Sequence, residues 1–364
     1  GDFAAAIAAG NPVIAKANSS HPGTTRLFAE AAQLAAEETG LPAGTIQLLY
    51  RMPHADGERL VSDARIGATG YTGSRSAGLA LKTAADANGK PIYLELSSVN
   101  PIVVLPGALA ERGAELAEEF TGSCLMGTGQ FCTNPGLVIL IEGESTTAFI
   151  QAVTERFQEA PVGTLLSRSV QSSLQNSLSV LVDAGAELLA GNTSVEEDRC
   201  CFANTLLKIT GEQFVGAPET MQTEAFGNSS LLMVANSTDQ VCEAIDHLEG
   251  NLTGCIYSHT GGEDDTDYDR IAPRLRQRVG RLLNDKMPTG VAVSSAMNHG
   301  GPFPATGHPG FTAVGIPASL IRFSMLQSYD NVRPHRLPAI LQDANPTGET
   351  WRLIDEQWSR EGVS

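Results

Sequence analysis

Ile66-Gly-Ala-Thr-Gly-Tyr-Thr-Gly-Ser-Arg-Ser-Ala-Gly78 runs from a strand-like segment through a glycine-bearing turn into a helix. Ile66–Tyr71 reads as the strand. Gly73 permits the tight turn, and Gly78 permits the helix over Ser76–Ala87 to pack closely on a sheet. Ile92–Leu96 is the next strand-sized apolar run. Strand, helix and strand in that order form a parallel crossover unit. The same alternation precedes it. Pro12–Lys16 reads as a short buried strand. Gly23–Thr39 reads as a helix with Leu27, Ala31, Leu34 and Ala35 on one face and Gly40 as its stop. Ile46–Leu49 is a strand, and a short helix lies near Gly57–Ser62. After Ser97–Pro101 the pattern resumes: strand 102–105, helix 109–120, strand 137–141, helices near 145–158 and 168–184, and strands around 230–235 and 252–258. Arg281–Asn284 through Gly290–Val293 reads as strand, Gly300–Gly310 as an irregular loop, and Ile321–Leu326 as a late strand. The fold class is α/β with a parallel sheet, whose ligands bind at the C-terminal ends of its strands.

Composition narrows the function. The 364 residues carry a net charge of −17, which argues against nucleic acid and against an anionic membrane surface, because both need a basic face. No apolar run approaches the ~20 residues of a membrane span. The start, Gly1–Ala9, has no basic segment before its apolar residues, so no signal peptide is read there. Cys124, Cys132, Cys200, Cys201, Cys242 and Cys255 show no C-x-x-C spacing. They read as reduced thiols of a cytoplasmic protein. The seven histidines form no H-E-x-x-H pattern, so the expectation is no metal site.

Four clusters carry candidate chemistry. In Gly129-Gln-Phe-Cys-Thr133, Cys132 is either a small buried hydrophobe or a nucleophile. Upstream, Leu94-Glu-Leu-Ser-Ser-Val-Asn-Pro101 puts Glu95 at the end of an apolar strand. A carboxylate against apolar walls has its pKa raised towards neutrality, which suits a general base beside a thiol. The turn Tyr71–Gly78 offers helix-start N–H groups to a pyrophosphate, or is a plain turn. Lys16, in Val13-Ile-Ala-Lys-Ala-Asn-Ser-Ser20, ends the first strand within reach of a dinucleotide, or is simply solvated. Glu224, in Thr223-Glu-Ala-Phe-Gly227, suits sugar hydroxyls, with a bland solvated role equally open.

Taken in order, Lys16, Gly73-Ser74 with Gly78, Glu95, Cys132, and Glu224 with Phe226 resemble the aldehyde dehydrogenase superfamily across nearly the whole chain. Lys16–Thr24, together with Pro288–Val293 and Met297–Pro302, resembles the 2-oxoglutarate semialdehyde (2,5-dioxovalerate) dehydrogenase branch, close to NADP-dependent fatty aldehyde dehydrogenase. The resemblance implies the aldehyde dehydrogenase fold: a Rossmann-like cofactor domain plus an α/β catalytic domain with an oligomerisation strand. It assigns 1–96 to the C-terminal part of the cofactor-binding domain and 97–300 to the catalytic domain. Residues 301–364 return to the cofactor domain and supply the oligomerisation tail, near Ser324–Val332. The family's N-terminal portion, with its oxyanion asparagine, has no counterpart here, so the chain is read as a fragment of a longer protein. Three positions depart from the pattern. Met126 and Gly127 stand where the family has Phe-Asn, and Asn228 where it has proline.

The implied activity is NAD(P)-dependent oxidation of an aldehyde to a carboxylic acid through a thiohemiacetal and thioester on Cys132, with Glu95 activating water. The expected substrate is 2-oxoglutarate semialdehyde. The alternatives are a long-chain aldehyde, a CoA-acylating relative (which Glu95 opposes), and a non-catalytic protein on the same fold. By the same likeness Lys16 holds the adenine ribose region, Ser74 contacts pyrophosphate, and Glu224 binds the nicotinamide ribose. Where NAD-preferring relatives carry a glutamate that repels a 2′-phosphate, this chain has Ser19. Arg51, after the next strand, is positioned to pair with that phosphate, so NADP is the expected cofactor, with NAD also accepted. Ser294, Ser295 and Asn298 are the expected lining of the substrate tunnel. The expected partner is a small aldehyde, and the expected assembly a homodimer or homotetramer.

Overall fold

The computed structural model describes residues 1–195, 198–290, 292–315 and 318–363. It comprises two units, Gly1–Phe323 and Ser324–Ser364.

The first unit opens with α1 (Asp2–Ala8), β1 (Val13–Lys16), α2 (Pro22–Glu38), β2 (Ile46–Leu49), α3 (His54–Ser62), β3 (Thr69–Thr72), α4 (Arg75–Asp86) and β4 (Ile92–Glu95). β1 pairs parallel with β2, Lys16 opposite Leu49. β3 pairs parallel with β4, Thr72 opposite Glu95. The chain continues through β5 (Ile102–Val104), α5 (Pro106–Leu125), β6 (Leu137–Ile141), α6 (Glu144–Glu159), α7 (Arg168–Asp183), β7 (Glu187–Ala190) and β8 (Thr205–Thr210). It ends with α8 (Gly211–Gly216), α9 (Pro218–Met221), β9 (Ser229–Ala235), α10 (Thr238–Asp246), β10 (Asn251–Tyr257), α11 (Asp265–Arg276) and β11 (Val279–Asn284). The last seven strands form one sheet in the order β11-β10-β5-β6-β9-β8-β7. Its pairings are parallel except β7 with β8.

The seven-stranded sheet is covered on both faces, as its continuous apolar strands require. Alternate side chains of β6 serve opposite faces: Leu137 and Ile139 join a core with Leu174, Leu178, Val241, Ile245, Ile271 and Leu275. Val138 and Leu140 join another with Leu109, Leu116, Phe120, Phe149, Val153 and Phe157. Helices α7, α10 and α11 thus lie on one side, and α5 and α6 on the other. Helix starts are fixed locally. Ser167 accepts from the Val170 N–H, Ser237 from the Gln240 N–H, and Thr210 with Gln213 makes a reciprocal capping box.

The α/β alternation is as expected, with several corrections. β3 starts at Thr69, not Ile66. β1 is only half-buried, because its sheet has two strands and both have an open edge. On α2 the side chains of Leu27 and Leu34 are 61% and 60% exposed, and Ala36 is the buried one. β7, β8, α10 and α11 lie outside the segments read as strand or helix. β11 ends at Asn284. Of Gly290–Val293, Val291 lies outside the described residues and the rest is not strand. The expected late strand over Ile321–Leu326 is instead a 3-10 helix, Ala318–Phe323. Among the described residues no strand pairs with it. Arg322 turns inward to Asp2 and lies over the rings of Phe323 and Phe311.

The second unit has one antiparallel hairpin, β12 (Arg352–Ile354) with β13 (Gln357–Ser359). Its two turn residues, Asp355 and Glu356, both have positive φ, as a type I′ turn demands. Arg352 donates to the carbonyls of Gln342, Asp343 and Glu361. Ser324–Val332 forms no strand within this chain. Among the described residues no helix is long and apolar enough to cross a membrane.

Candidate active site

Glu95 ends β4. A bridge to Thr306, and bonds from the Leu96 N–H to the Ala305 carbonyl (2.8 Å) and from the Gly307 N–H to the Leu94 carbonyl (3.0 Å), lay the glycine-rich loop along that strand. The chain then bends through Ser98–Asn100. There Asn251 Oδ1 accepts from the Val99 N–H (2.9 Å), the Asn100 N–H (3.1 Å) and Ser98 Oγ (3.1 Å). Asn100, at φ +47°, donates from Nδ2 to the carbonyls of Cys132 and Asn134, both at 2.9 Å. One asparagine therefore ties the segment after Glu95 to the loop that carries Cys132.

That loop follows α5. Gly129 has φ +66°, and a Cβ there would lie 2.0 Å from the Gly227 carbonyl oxygen, so only glycine fits. Cys132 is partly exposed, and its Sγ lies 3.3 Å from His299 Nε2. The same nitrogen lies 3.1 Å from Glu95 Oε1. His299 is held by its backbone: its N–H donates to Thr312 Oγ1 (2.7 Å), and its carbonyl accepts from the Ala313 N–H (2.8 Å). Glu95 and His299 are 8% and 9% exposed.

The electrostatics correct one expectation. Burial does push the Glu95 carboxyl up. The hydrogen bond and charge of His299, the contact with Cys132 and the charge of Arg322 outweigh it, so the group is held below the usual carboxylate range. For Cys132, burial and then the neighbouring Glu95 charge push the thiol up to about 12. The resting site is a neutral thiol beside an ionised carboxylate. The backbone N–H groups of Cys132 and Thr133 interact favourably with the thiolate form.

The remaining expected residues fall into three places. Lys16 and Ser19 are exposed at the C-terminal end of β1 and just beyond it, and Arg51 is exposed just past β2. Gly73 and Ser74 are exposed between β3 and α4, and the Gly73 N–H donates to the Glu95 carbonyl at 3.1 Å. Gly78 is buried, and a Cβ there would lie 2.5 Å from Leu96 Cδ2, the close approach expected of it. Ser74 gives α4 no side-chain cap, which leaves the helix-start N–H groups without a side-chain acceptor. Glu224 and Phe226 are half-buried and line a cavity with Ser98, Gly129, Phe131 and Asn134. Glu224 accepts from the Ser98 N–H at 3.3 Å, and burial pushes it up to about 7. These observations fit a dinucleotide: an uncapped helix start, a glycine too crowded for a side chain, and a carboxyl beside the thiol loop. Ser294, Ser295 and Asn298 are exposed, and Asn298 Nδ2 is spent on the Gly280 carbonyl at 3.0 Å.

Sequence reasoning missed His299, Asn100 and Asn251 as site residues. His299 stood within Met297–Pro302, a segment read only for its resemblance. Arg281, on β11, points its guanidinium at the Pro288 carbonyl (3.3 Å) and Met297 Sδ (3.6 Å), while its buried Nε has no partner. Burial pushes its pKa down, partly offset by the charge of the Cys132 thiolate form.

The profile of the aldehyde dehydrogenase family matches residues 1–301. The chain is 38% identical over 348 residues to alpha-ketoglutaric semialdehyde dehydrogenase 2 of Azospirillum brasilense, covering 95% of this chain and 66% of that one. It is 34% identical over 361 residues to alpha-ketoglutaric semialdehyde dehydrogenase of Acinetobacter baylyi, covering 98% and 67%. The chain thus spans about two thirds of the length of these relatives. Among solved structures it resembles a succinic semialdehyde dehydrogenase from Streptococcus pyogenes in complex with NADP+ (TM-score 0.71, 20% identity, 88% of this chain and 67% of that one). It also resembles a glyceraldehyde-3-phosphate dehydrogenase from Methanocaldococcus jannaschii complexed with NADP (TM-score 0.74, 20% identity, 88% and 67%). A profile match over most of the sequence, with 38% and 34% identity to these relatives and the shared fold, leaves one conclusion: the chain belongs to the aldehyde dehydrogenase family.

Proposed function

We propose that the protein oxidises an aldehyde to a carboxylic acid through covalent catalysis by Cys132, and that the substrate is 2-oxoglutarate semialdehyde. The observation that carries the chemistry is the contact of Cys132 Sγ with His299 Nε2, which also touches the ionised Glu95. The substrate reading rests on 38% identity to a protein named for that aldehyde.

The residues act as follows. Glu95 takes the thiol proton, and the His299 Nε2–H is then free to donate to the thiolate, lowering the cost of forming it next to a buried carboxylate. Attack of Sγ on the aldehyde carbon gives a thiohemiacetal. Its oxygen is stabilised by the N–H groups of the Cys132 loop. The oxidised product on Cys132 is a thioester. Glu95, its first proton released to solvent, removes a proton from the attacking water, and the acid departs. Lys16, Ser19, Arg51, Gly73, Ser74, Gly78, Glu224 and Phe226 are the residues that would hold the dinucleotide. Ser19 and Arg51 favour NADP, with NAD accepted. When bound, the nicotinamide supplies the hydride acceptor.

Arg281 gives the distal carboxylate of such a substrate a cation. Its free Nε and its charge near Cys132 support that role. The tail after Phe323 is read as the oligomerisation tail of a dimer or tetramer, and the protein as cytoplasmic. The test is NADPH formation from 2-oxoglutarate semialdehyde by the wild type and by Cys132→Ala. The wild type turns over and the variant does not; equal rates, or no turnover by the wild type, would overturn the reading.

A further inference from the structure

We propose that Cys132, His299 and Glu95 also form a zinc site, in which one Zn2+ ion bridges the thiolate, the imidazole and the carboxylate and blocks the nucleophile reversibly. The three ligand atoms, Sγ, Nε2 and a carboxylate oxygen, lie within 4.8 Å of one another. Two separations are short: 3.3 Å for sulfur to nitrogen and 3.1 Å for nitrogen to oxygen. Around tetrahedral zinc, with bonds of about 2.3 Å to sulfur and about 2.0–2.1 Å to nitrogen and oxygen, those edges come to about 3.5 and 3.3 Å. Those two edges need to change by only a few tenths of an ångström, and the third, sulfur to carboxylate oxygen, closes from within 4.8 Å towards about 3.5 Å by rotation of the partly exposed Cys132 side chain.

The donor set selects the ion. One soft sulfur, one imidazole and one carboxylate suit zinc, whereas magnesium and calcium prefer all-oxygen shells. The charges cancel, since a thiolate and a carboxylate balance Zn2+ and the imidazole binds neutral. That matters at a site where Glu95 and His299 are almost wholly buried. Binding exchanges the thiol hydrogen for the metal and that proton leaves to solvent, while the His299 ring proton moves through solvent from Nε2 to Nδ1, so that Nε2 ligates with the imidazole neutral. No redox change is involved. Cys132 is partly exposed, which provides an entry path and a fourth position for water. Backbone contacts hold two of the ligand segments in place beforehand: Asn100 fixes the Cys132 carbonyl, and Thr312 and Ala313 hold His299. The three ligands come from positions 95, 132 and 299, so no local spacing announces the site.

The test reads metal rather than turnover, so it stands whether or not the chain proves to be a dehydrogenase. The reduced protein is titrated with Zn2+ and, separately, with Co2+. The expected results are one bound ion and, for Co2+, a thiolate-to-cobalt charge-transfer band in the near ultraviolet that Cys132→Ser removes. His299→Ala and Glu95→Gln each weaken Zn2+ binding by more than about tenfold, the loss that even an outer-shell partner of a metal ligand can cause. Changing Cys200 and Cys201 together to Ser leaves the band unchanged. Independently of any variant, saturating Zn2+ slows alkylation of wild-type Cys132 by iodoacetamide more than tenfold, and EDTA restores it. An unchanged alkylation rate with Zn2+ bound, or a band that survives Cys132→Ser, overturns the proposal.

Discussion

Glu95 and His299 stand 204 positions apart in the chain, yet Oε1 of one lies 3.1 Å from Nε2 of the other. The contact exists because the loop after β11 folds back along β4, with Thr306 bridged to Glu95 itself. A single imidazole nitrogen therefore faces both the carboxylate and the thiol. It is not the two-nitrogen relay of a serine protease, so His299 can donate to only one neighbour at full strength at a time.

His299→Ala should lower kcat/KM by roughly 10²-fold or more, the usual range for a positioned proton-handling group. It should also slow iodoacetamide reaction at Cys132 at neutral pH, because the thiolate loses its donor. His299→Gln, which keeps a donor, should recover part of the alkylation rate. Equal alkylation rates in wild type and His299→Ala would remove the imidazole from thiol activation.

Glu95→Gln separates two steps. Because Glu95 serves first the thiol and then the water, the variant should acylate more slowly than the wild type and then stall, and mass spectrometry of the intact protein should show an acyl adduct accumulating on Cys132. Turnover should fall by about 10²–10⁴-fold. A variant that never acylates would mean that Glu95 is needed earlier, for the thiol alone.

The raised pKa of Glu224 makes stability depend on pH. Its ordinary value is 4.5, and burial lifts it to about 7 in the folded protein. Below the ordinary value the group is protonated in both states and costs nothing. As pH rises from 4.5 to about 7 the unfolded chain is ionised while the folded one holds its proton, so stability falls over that window, by on the order of 3 kcal/mol in all, and levels off above it. Glu224→Gln lacks this dependence. Urea unfolding at about pH 5 and about pH 8 should show the wild type losing stability relative to the variant, and a constant difference would refute the assignment.

Asn100 should be worth more to the site than its size suggests. It carries a positive φ and a buried side chain bonded to Cys132, Asn134, Ser98 and Thr253. Asn100→Ala leaves those buried partners unsatisfied and should destabilise the protein by about 2–4 kcal/mol. Asn100→Gly relieves the backbone but not the bonds. If it restores stability without restoring the Cys132 alkylation rate, the side chain positions the loop; if it restores both, only the backbone matters.

Arg281→Met should raise KM for 2-oxoglutarate semialdehyde more than about tenfold, and leave KM for propanal nearly unchanged. The loss of one charge-assisted pair in a partly buried site is worth about 1.5–3 kcal/mol. Equal effects on both aldehydes would assign Arg281 to packing against Met297 and Pro288 instead.

The sequence by itself determined the parallel α/β alternation, because apolar periodicity and glycine stops are local. β6 runs over Leu137–Ile141 as read, and Gly78 packs as closely as its position implied. It also pointed to Cys132 and Glu95, each embedded in a recognisable stretch. The charge state of Glu95 was not legible: its direction reversed, because an imidazole from a distant loop outweighs burial. Nor was the 3-10 turn at Ala318–Phe323, where Arg322 is drawn to Asp2 at the other end of the unit. The tertiary structure alone decided which histidine meets the thiol and which asparagine holds its loop. Such meetings are set by how strands and loops are threaded in space, and a polar side chain leaves no periodic trace of its partner in the chain.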